Sequence, residues 1–317
     1  MVSRLDMKLI INKIQSYRVW DSRGNPTIET NVILHNNIYG KSIAPSGSSK
    51  GKKELHESRD ENSIIENDVL NAVEMINSVL NKFFLGKKIN SQKEFDNNLI
   101  NLKDEFNLGS NIIVSLSMAF AHALAKFNNQ DLWKFLLNGK DFTLPLPEIQ
   151  IFGGGAHANN TIDIQDFMII PMGAKNYIES LEMCSRVYKS AGNLLEKLNK
   201  KTGIADEGGY WPNFDSNIEG LDLLLQSIEK AGFKPMDDVG ISIDIAAGEF
   251  YQDNKYNLKK DNIKLSSNEF MDLILNWINK YPIISIEDPF DESDKDSFSK
   301  LTKKVGEKVQ IVGDDLL

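Results

Sequence analysis

The feature that most constrains the fold is an alternation that starts at Leu144 and continues to the end of the sequence. Short apolar runs alternate there with amphipathic helical segments of roughly a dozen residues or more, a pattern typical of βα units on a parallel sheet. The runs number six and read PEIQIFGG, DIQDFMIIP, TGIADEGG, VGISIDIAA, YPIISIEDP and VQIVGDD. The pattern predicts an α/β domain with parallel strands and helices around them.

The sequence before this alternation has a different organisation. Three β-type runs come first, followed by three segments of helical periodicity, so we predict a segregated α+β domain. The β-type runs are KIQSYRVWDSRG, TIETNVILHN and IYGKSIAPS, and the helical segments are ENDVLNAVEMINSVLNKFF, SQKEFDNNLINLKDEF and SNIIVSLSMAFAHALAKF. The stretch LLNGKDFTLPLP separates the two regions, and we predict domains over residues 1–140 and 141–317.

Composition excludes several classes of function. The formal net charge of −9 argues against a nucleic-acid or anionic-membrane partner held by bulk charge. The single cysteine, Cys184, excludes an intrachain disulfide, and we interpret it as a small core residue in a reducing compartment. No apolar run reaches the roughly 18 residues that a membrane span needs, and the N-terminus lacks a secretory signal pattern. We therefore expect a cytoplasmic protein.

Acidic residues follow four of the six apolar runs: Glu207, Asp244, Glu287 and Asp314. In a parallel barrel the carboxyl ends of the strands lie on one face, where catalytic groups gather. Carboxylates from adjacent strands repel one another unless a cation neutralises them, and an all-oxygen donor set favours Mg²⁺. We predict a Mg²⁺ site from Asp244, Glu287 and Asp314. The alternative is that each acid caps its strand or pairs with a basic side chain.

Three loops rich in small residues carry further candidates. ADEGGYWPN places Glu207 before two glycines, and FGGGAHANN places His157 in a glycine-rich loop. APSGSSKGKKE has the composition of a mobile lid whose hydroxyls and amides suit a phosphate or a metal. Taken singly, each loop is weak support, since such loops usually only turn and a loop histidine is usually structural.

Eight segments of the sequence resemble, in order and spacing, the signature segments of the enolase (phosphopyruvate hydratase) family. They are DSRGNPTIE, APSGSSKG, GGGAHANN, DIQDFM, ADEGGYWPN, SIDIAAGEFY, SIEDPFDE and IVGDD. The resemblance implies an N-terminal α+β capping domain and an α/β, TIM-like barrel that begins with two strands before its first helices. It also implies a Mg²⁺-dependent carbon-oxygen lyase of glycolysis and gluconeogenesis that interconverts 2-phosphoglycerate and phosphoenolpyruvate, working as a homodimer or larger homo-oligomer.

The resemblance implies metal roles for individual residues. Asp244, Glu287 and Asp314 match the ligands of the family's structural Mg²⁺. Ser49 matches the residue that helps to hold a second, catalytic Mg²⁺ when substrate is bound. The resemblance thus implies two Mg²⁺ per site.

It also implies catalytic and substrate-binding roles. Glu207 matches the acid that assists departure of hydroxide, and Asp166 and His157 are expected beside it. His157, Gln165, Ser49 and Glu287 are expected around a small phosphorylated carboxylate. An elimination of this kind needs a base, an acid at the leaving hydroxyl and cations at the developing negative charge.

The sequence departs from the family at several positions. Asp166 stands where the family usually has glutamate, and Lys50 stands where threonine is common. The loop before His157 reads FGGGAHA, where many members have an asparagine before two glycines. These changes keep a second hypothesis open: an enolase-superfamily paralogue that acts on another phospho- or phosphono-carboxylate.

The length of the second region leads to a further expectation. Residues 141–317 are fewer than the roughly 250 of a closed eight-stranded barrel, so we expect an incomplete barrel of about six strands. The family's catalytic lysine base and most of its phosphate-binding residues follow the last matching motif. We expect the 317-residue chain alone to bind Mg²⁺ weakly without turning over 2-phosphoglycerate. A non-catalytic enolase-derived protein, or one half of a split enzyme, is the third hypothesis.

Overall fold

A computed structural model of the chain describes residues 9–47, 51–61 and 63–317. These residues form two compact units. The N-terminal unit contains the described residues up to Gly47 together with Glu54–Thr143. The C-terminal unit contains residues 51–53 together with Leu144–Leu317.

The N-terminal unit is built on a three-stranded antiparallel sheet. Its strands, adjacent in this order, are β1 (Ile11–Trp20), β2 (Pro26–Leu34) and β3 (Tyr39–Ile43). In the turn between β1 and β2, the Asp21 carboxylate accepts hydrogen bonds from the backbone N–H groups of Arg23 and Asn25, at 2.9 and 2.8 Å. All three predicted strands of this region are confirmed.

Helices follow this sheet in the chain. They are α1 (Leu70–Met75), a π-helical segment (Ile76–Leu80), α2 (Asn81–Phe84), α3 (Gln92–Phe106), α4 (Ser110–Phe127) and α5 (Leu132–Leu137). Helix α3 begins after Ser91, whose side chain accepts the N–H of Glu94, and ends at Asn107 in the left-handed conformation. The predicted α+β organisation is therefore confirmed.

Helix α4 is the central helix of this unit. It packs on β2 and β3 so closely that a Cβ added at Gly40 would lie 2.1 Å from the carbonyl oxygen of Ala119. The expectation that no apolar run is long enough to span a membrane is wrong for α4, which among the described residues is the one helix long and apolar enough to do so; 56% of it is buried inside the structure. Such burial is typical of a core helix in a globular domain.

The C-terminal unit contains a seven-stranded sheet. Its strands are β4 (Ile149–Gly153), β5 (Asp166–Ile170), β6 (Lys201–Ile204), β7 (Tyr210–Pro212), β8 (Gly240–Asp244), β12 (Ile283–Glu287) and β13 (Gln310–Val312). They are adjacent in the order β13-β12-β8-β5-β4-β7-β6. A small antiparallel sheet contains β9 (Tyr251–Gln252), β10 (Lys255–Leu258) and β11 (Ile263–Leu265). Each of the six predicted apolar runs contributes a strand to the large sheet.

Four helices complete this unit: α6 (Tyr177–Lys197), α7 (Asn217–Lys230), α8 (Ser267–Lys280) and α9 (Lys295–Val305). Their apolar faces form one core with the strands. Cys184 of α6 is buried in that core, and burial raises the pKa of its thiol to about 11. Helix α8 begins with a capping box in which Ser266 and Glu269 bond each other's backbone N–H.

The direction of the strands differs from the sequence prediction at β5 and at β6. Strand β6 is antiparallel to β7, which is itself parallel to β4. Strands β8, β12 and β13 are parallel, but β5 is antiparallel to both of its neighbours, β4 and β8. The connection from β4 to β5 contains only the short 3₁₀-helix Gly155–Ala158, whereas a parallel pair needs a crossover, usually an α-helix. Among the described residues no pairing joins β13 to β6, so the sheet is open, as expected for an incomplete barrel.

Candidate metal centre and active site

The candidate site lies at one end of the seven-stranded sheet. Strands β8 and β12 end at Asp244 and Glu287, and the reversed strand β5 begins at Asp166. Asp166 and Asp244 are register partners, and so are Asp244 and Glu287. Three neighbouring strands therefore bring three carboxylates side by side.

The first acidic group, which we call the carboxylate triad, contains Asp244, Glu287 and Asp288. One carboxylate oxygen of each lies within 4.8 Å of the other two. Asp244 is held in place because its two oxygens accept hydrogen bonds from the Gln165 amide and the Ala246 N–H, both at 2.9 Å. Asp288 has a φ of +36°, which is uncommon for a non-glycine residue.

Burial and mutual repulsion shift the pKa of each carboxyl in the triad upward. Burial raises the pKa of Asp244 well above its usual range, and the charges of Glu287 and Asp166 add to this. Burial also raises the pKa of Glu287 to about 7, with further contributions from Asp288 and Asp314. The pKa of Asp288 is raised mainly by burial, against hydrogen bonds that lower it. A cation among these groups would favour their ionised forms.

The triad fits a hard divalent cation. All its donors are oxygen atoms, as Mg²⁺ prefers. Two buried acceptors, Oδ1 of the triad residue Asp288 and Oε1 of Gln165, which bonds Asp244, have no hydrogen-bond partner within the described part of the chain. A buried acceptor without a partner costs on the order of 1–3 kcal/mol, so a bound ion with its water ligands would satisfy these atoms.

Asp314 lies outside this compact group. It is exposed, and its backbone N–H donates to Asp288 Oδ2 at 3.1 Å, as does the N–H of Asp315 at 2.8 Å. Its role as a metal ligand stays a prediction. The third carboxylate of the compact group is Asp288 rather than Asp314. Asp288 directly follows Glu287 in SIEDP, and this pair of adjacent acids was the sequence feature that could have identified it.

The second group, which we call the histidine group, contains His157, Asp166 and Glu207. His157 is buried in the 3₁₀-helix after β4, and its Nδ1 lies 3.1 Å from Asp166 Oδ1. Its Nε2 lies 3.9 Å from Glu207 Oε1, and the Glu207 side chain is 52% exposed. The structure thus brings together all three residues predicted to act at the leaving hydroxyl.

In the histidine group, the pKa values of both His157 and Glu207 are raised, which favours their protonated forms. Burial lowers the pKa of His157, but the hydrogen bond and charge of Asp166, with the charge of Glu207, outweigh it, and the net shift is upward. Burial raises the pKa of Glu207, the charge of Asp166 adds to this, and His157 opposes it. A half-exposed carboxyl with a raised pKa is suited to general-acid chemistry.

Gln150 connects these residues and was missed by the sequence analysis. It is buried on β4, where its amide N–H donates to Asp166 Oδ1 and its Oε1 accepts the N–H of Gly209 at 2.7 Å. A Cβ at Gly209 would lie 2.6 Å from that same oxygen, which explains the glycine. Gln150 is the glutamine inside the apolar run PEIQIFGG, and a polar residue at such a position was the sequence feature that could have identified it.

Ser49 and Lys50 lie outside the described residues, so their predicted roles at the substrate and the second metal stay predictions. Gln165 precedes Asp166 in the chain, donates to Asp244 of the triad, and carries one of the unpartnered oxygens described above.

Comparison with known families covers nearly the whole chain. A family model described as the enolase N-terminal domain matches residues 11–136. A second model, described as the enolase C-terminal TIM barrel domain, matches residues 141–317. The two matches include every residue of the triad and the histidine group.

Proposed function

The chain belongs to the enolase family, and from that premise we propose that it is a Mg²⁺-dependent phosphopyruvate hydratase. The reaction is the reversible conversion of 2-phosphoglycerate to phosphoenolpyruvate and water. The observation that carries the proposal is that the triad and the histidine group are adjacent at the same end of the sheet. Asp166 of the histidine group and Asp244 of the triad are register partners on neighbouring strands. An elimination beside a carboxylate needs a cation and a proton donor in one site, and these residues would supply ligands for the cation and a carboxyl group as the proton donor.

The triad would hold the structural Mg²⁺, with Asp314 as a further proposed ligand and Ser49 at the second ion. When bound, Mg²⁺ supplies positive charge next to the negative charge that develops on the substrate carboxylate. Gln165 holds Asp244 through its amide N–H and leaves its Oε1 available to a ligand.

The histidine group would act on the leaving hydroxyl. Burial and the charge of Asp166 raise the pKa of Glu207, which favours its protonated form, and the side chain is exposed enough to meet a substrate. Asp166 orients His157 through the bond to Nδ1, and Gln150 in turn orients Asp166. These residues would bind and protonate the departing oxygen.

We further propose the cellular setting that the family implies. The protein would act in glycolysis and gluconeogenesis, in the cytoplasm, on a small phosphorylated carboxylate, as a homodimer or larger homo-oligomer. Its acidic net charge and ordinary soluble composition support a cytoplasmic enzyme without a nucleic-acid or membrane partner.

One observation favours a second candidate. Asp166, which is shorter than the family's usual glutamate, is engaged by both Gln150 and His157. An aspartate is one methylene shorter than a glutamate, so a carboxyl held back by these two bonds would suit a paralogue that acts on another phospho- or phosphono-carboxylate.

A substrate panel tests the proposal. The protein as its gene encodes it is assayed with Mg²⁺ on 2-phosphoglycerate and on other phospho- and phosphono-carboxylates. We expect no turnover by the 317-residue chain alone, conversion of 2-phosphoglycerate when the family's lysine base and phosphate-binding residues are supplied, and then a loss of about 10²–10⁴-fold in kcat for Glu207→Gln. Asp237→Asn, an exposed residue in the connection before β8, is the matched control and should keep full activity. If the protein converts another phospho- or phosphono-carboxylate but not 2-phosphoglycerate, the paralogue hypothesis would replace the hydratase hypothesis.

A further inference from the structure

Glu207, the residue that would protonate the leaving hydroxyl, lies in the turn of a hairpin. Strands β6 and β7 are antiparallel, with Ile204 and Tyr210 as register partners, and residues 205–209 connect them. Gly208 in this turn has a φ of +96°, a conformation that glycine adopts readily. The Glu207 side chain is 52% exposed, so the location of its carboxyl depends largely on how the backbone of the turn is held.

Two hydrogen bonds attach this turn to neighbouring elements. The Gly209 N–H donates to Gln150 Oε1 at 2.7 Å, and the Asp206 N–H donates to the His157 carbonyl oxygen at 3.3 Å. Both acceptors belong to β4 and the 3₁₀-helix that follows it. The two bonds therefore tie the turn to the elements that carry the histidine group and its partner Gln150.

A third attachment comes from helix α6. The Tyr188 hydroxyl donates to the carbonyl oxygen of Gly208 at 2.9 Å, although the two residues are 20 positions apart. The Tyr188 ring stacks on the ring of Tyr210, with centroids 4.3 Å apart and an interplanar angle of 17°. Tyr210 is buried, and a Cβ at Gly192 would lie 2.3 Å from its hydroxyl, so α6 carries a glycine where Tyr210 contacts it. Stacking on this buried ring orients the Tyr188 hydroxyl toward the turn.

We propose that Tyr188 is a positioning residue for Glu207 and that it acts through the carbonyl group of Gly208. The inference rests on the proposed function, in which Glu207 protonates the leaving hydroxyl. A general acid has to lie within hydrogen-bond reach of the oxygen that it protonates, and a misplacement of about 1 Å can cost about 10²-fold in rate. With Tyr188, the turn is attached at Asp206, Gly208 and Gly209, on both sides of Glu207 in the chain.

Tyr188→Phe tests the inference, because it removes the hydroxyl and keeps the ring that stacks on Tyr210. The 317-residue chain is sufficient, since the first two measurements need no turnover. NMR titration of the Glu207 carboxyl carbon should show a lower pKa than in the parent protein, because a loosened turn lets water reach a carboxyl whose pKa is raised by burial. Hydrogen exchange of the Gly208 and Gly209 amides should become about 3–10-fold faster, as expected for the loss of one hydrogen bond.

Tyr177→Phe is the matched control. Tyr177 begins the same helix, and it is 44% exposed. This variant should change neither the Glu207 titration nor the exchange of the turn amides. An unchanged Glu207 pKa in the Tyr188→Phe variant would overturn the proposal.

Turnover gives a separate measurement. Once the family's lysine base and phosphate-binding residues are supplied, Tyr188→Phe should lower kcat by about 3–10-fold and leave KM within about 2-fold, because Tyr188 holds the acid rather than the substrate. A raised KM with an unchanged kcat would contradict the positioning role. Full kcat in Glu207→Gln would instead count against the proposed function, and the NMR titration would still decide whether Tyr188 positions Glu207.

Discussion

Individual residues of the site were predictable where their position in the chain determined their location. Asp244 and Glu287 end apolar runs, and strand ends meet at one edge of a sheet. Asp288 and Gln150 were not identified, because their roles depend on a left-handed backbone and on the reach of an amide across strands. Sequence periodicity contains neither kind of information.

Asp166 is expected to control the protonation of His157. In Asp166→Asn, the charge that raises the pKa of His157 is lost while burial, which lowers it, remains. The pKa of His157 should therefore fall, which can be measured by NMR titration of its ring protons. Asp237→Asn should leave that pKa unchanged, and a rise of the His157 pKa in the Asp166→Asn variant would contradict the assignment.

Asp68 is expected to make stability depend on acid pH. Burial raises its pKa, but hydrogen bonds from the Val69 N–H, Arg18 and Ser63 outweigh this, and the net shift is downward from 3.8. The ionised form therefore stabilises the fold above about pH 4, and this stabilisation is lost as the pH falls through the lowered value.

Asp68→Asn tests this dependence in urea unfolding. The variant should lose about 1–3 kcal/mol at pH 7, because the Arg18 guanidinium keeps no carboxylate partner there. The difference from the parent protein should shrink toward pH 3. Asp104→Asn, whose side chain is 89% exposed, is the control, and a pH-independent difference would refute the prediction.

At the scale of elements, existence and type were predictable and direction was not. Apolar alternation identified β1 to β3 and all six predicted strands of the large sheet. The reversal of β5 depends on its short connection to β4, which contains no α-helix, and it places Asp166 at the end where β8 and β12 finish. The direction of a strand is set by such connections, whereas the alternation of apolar and polar residues is the same for a parallel and an antiparallel strand.

The contact between β3 and α4 leads to a prediction on packing. In Gly40→Ala the new Cβ would lie 2.1 Å from the Ala119 carbonyl oxygen and 2.2 Å from the Ala123 nitrogen, and both are backbone atoms that cannot rotate away. The helix must shift, so we expect a loss of about 3 kcal/mol or more in the free energy of unfolding. Gly203→Ala, where the nearest atom is 3.6 Å from the added Cβ, should cost less than about 1 kcal/mol. Equal stabilities would show that the contact is looser than described.

At the scale of the whole molecule, the family and the fold class were predictable because many ordered motifs agree. The buried carboxylates of the site together make the stability of the metal-free protein depend on pH. Burial raises the pKa of Glu287 to about 7 and that of Asp315 to about 6, so the folded state without metal retains protons that the unfolded chain releases. Stability from these groups is present at low pH and is lost as the pH rises through 6 to 7.

Mg²⁺ should reverse this loss. Without divalent cations we expect lower resistance to denaturant at about pH 8 than at about pH 5.5, since ionised carboxylates then repel one another in a buried site. Bound Mg²⁺ needs those same carboxylates deprotonated, so its stabilisation should be larger at the higher pH, reaching about 2.7 kcal/mol at 100 times its Kd. Glu287→Gln removes one of these charges and should flatten the pH dependence of the metal-free protein while weakening the response to Mg²⁺. A metal-free protein that gains stability between these pH values would show that the triad is already neutralised by groups of the chain itself.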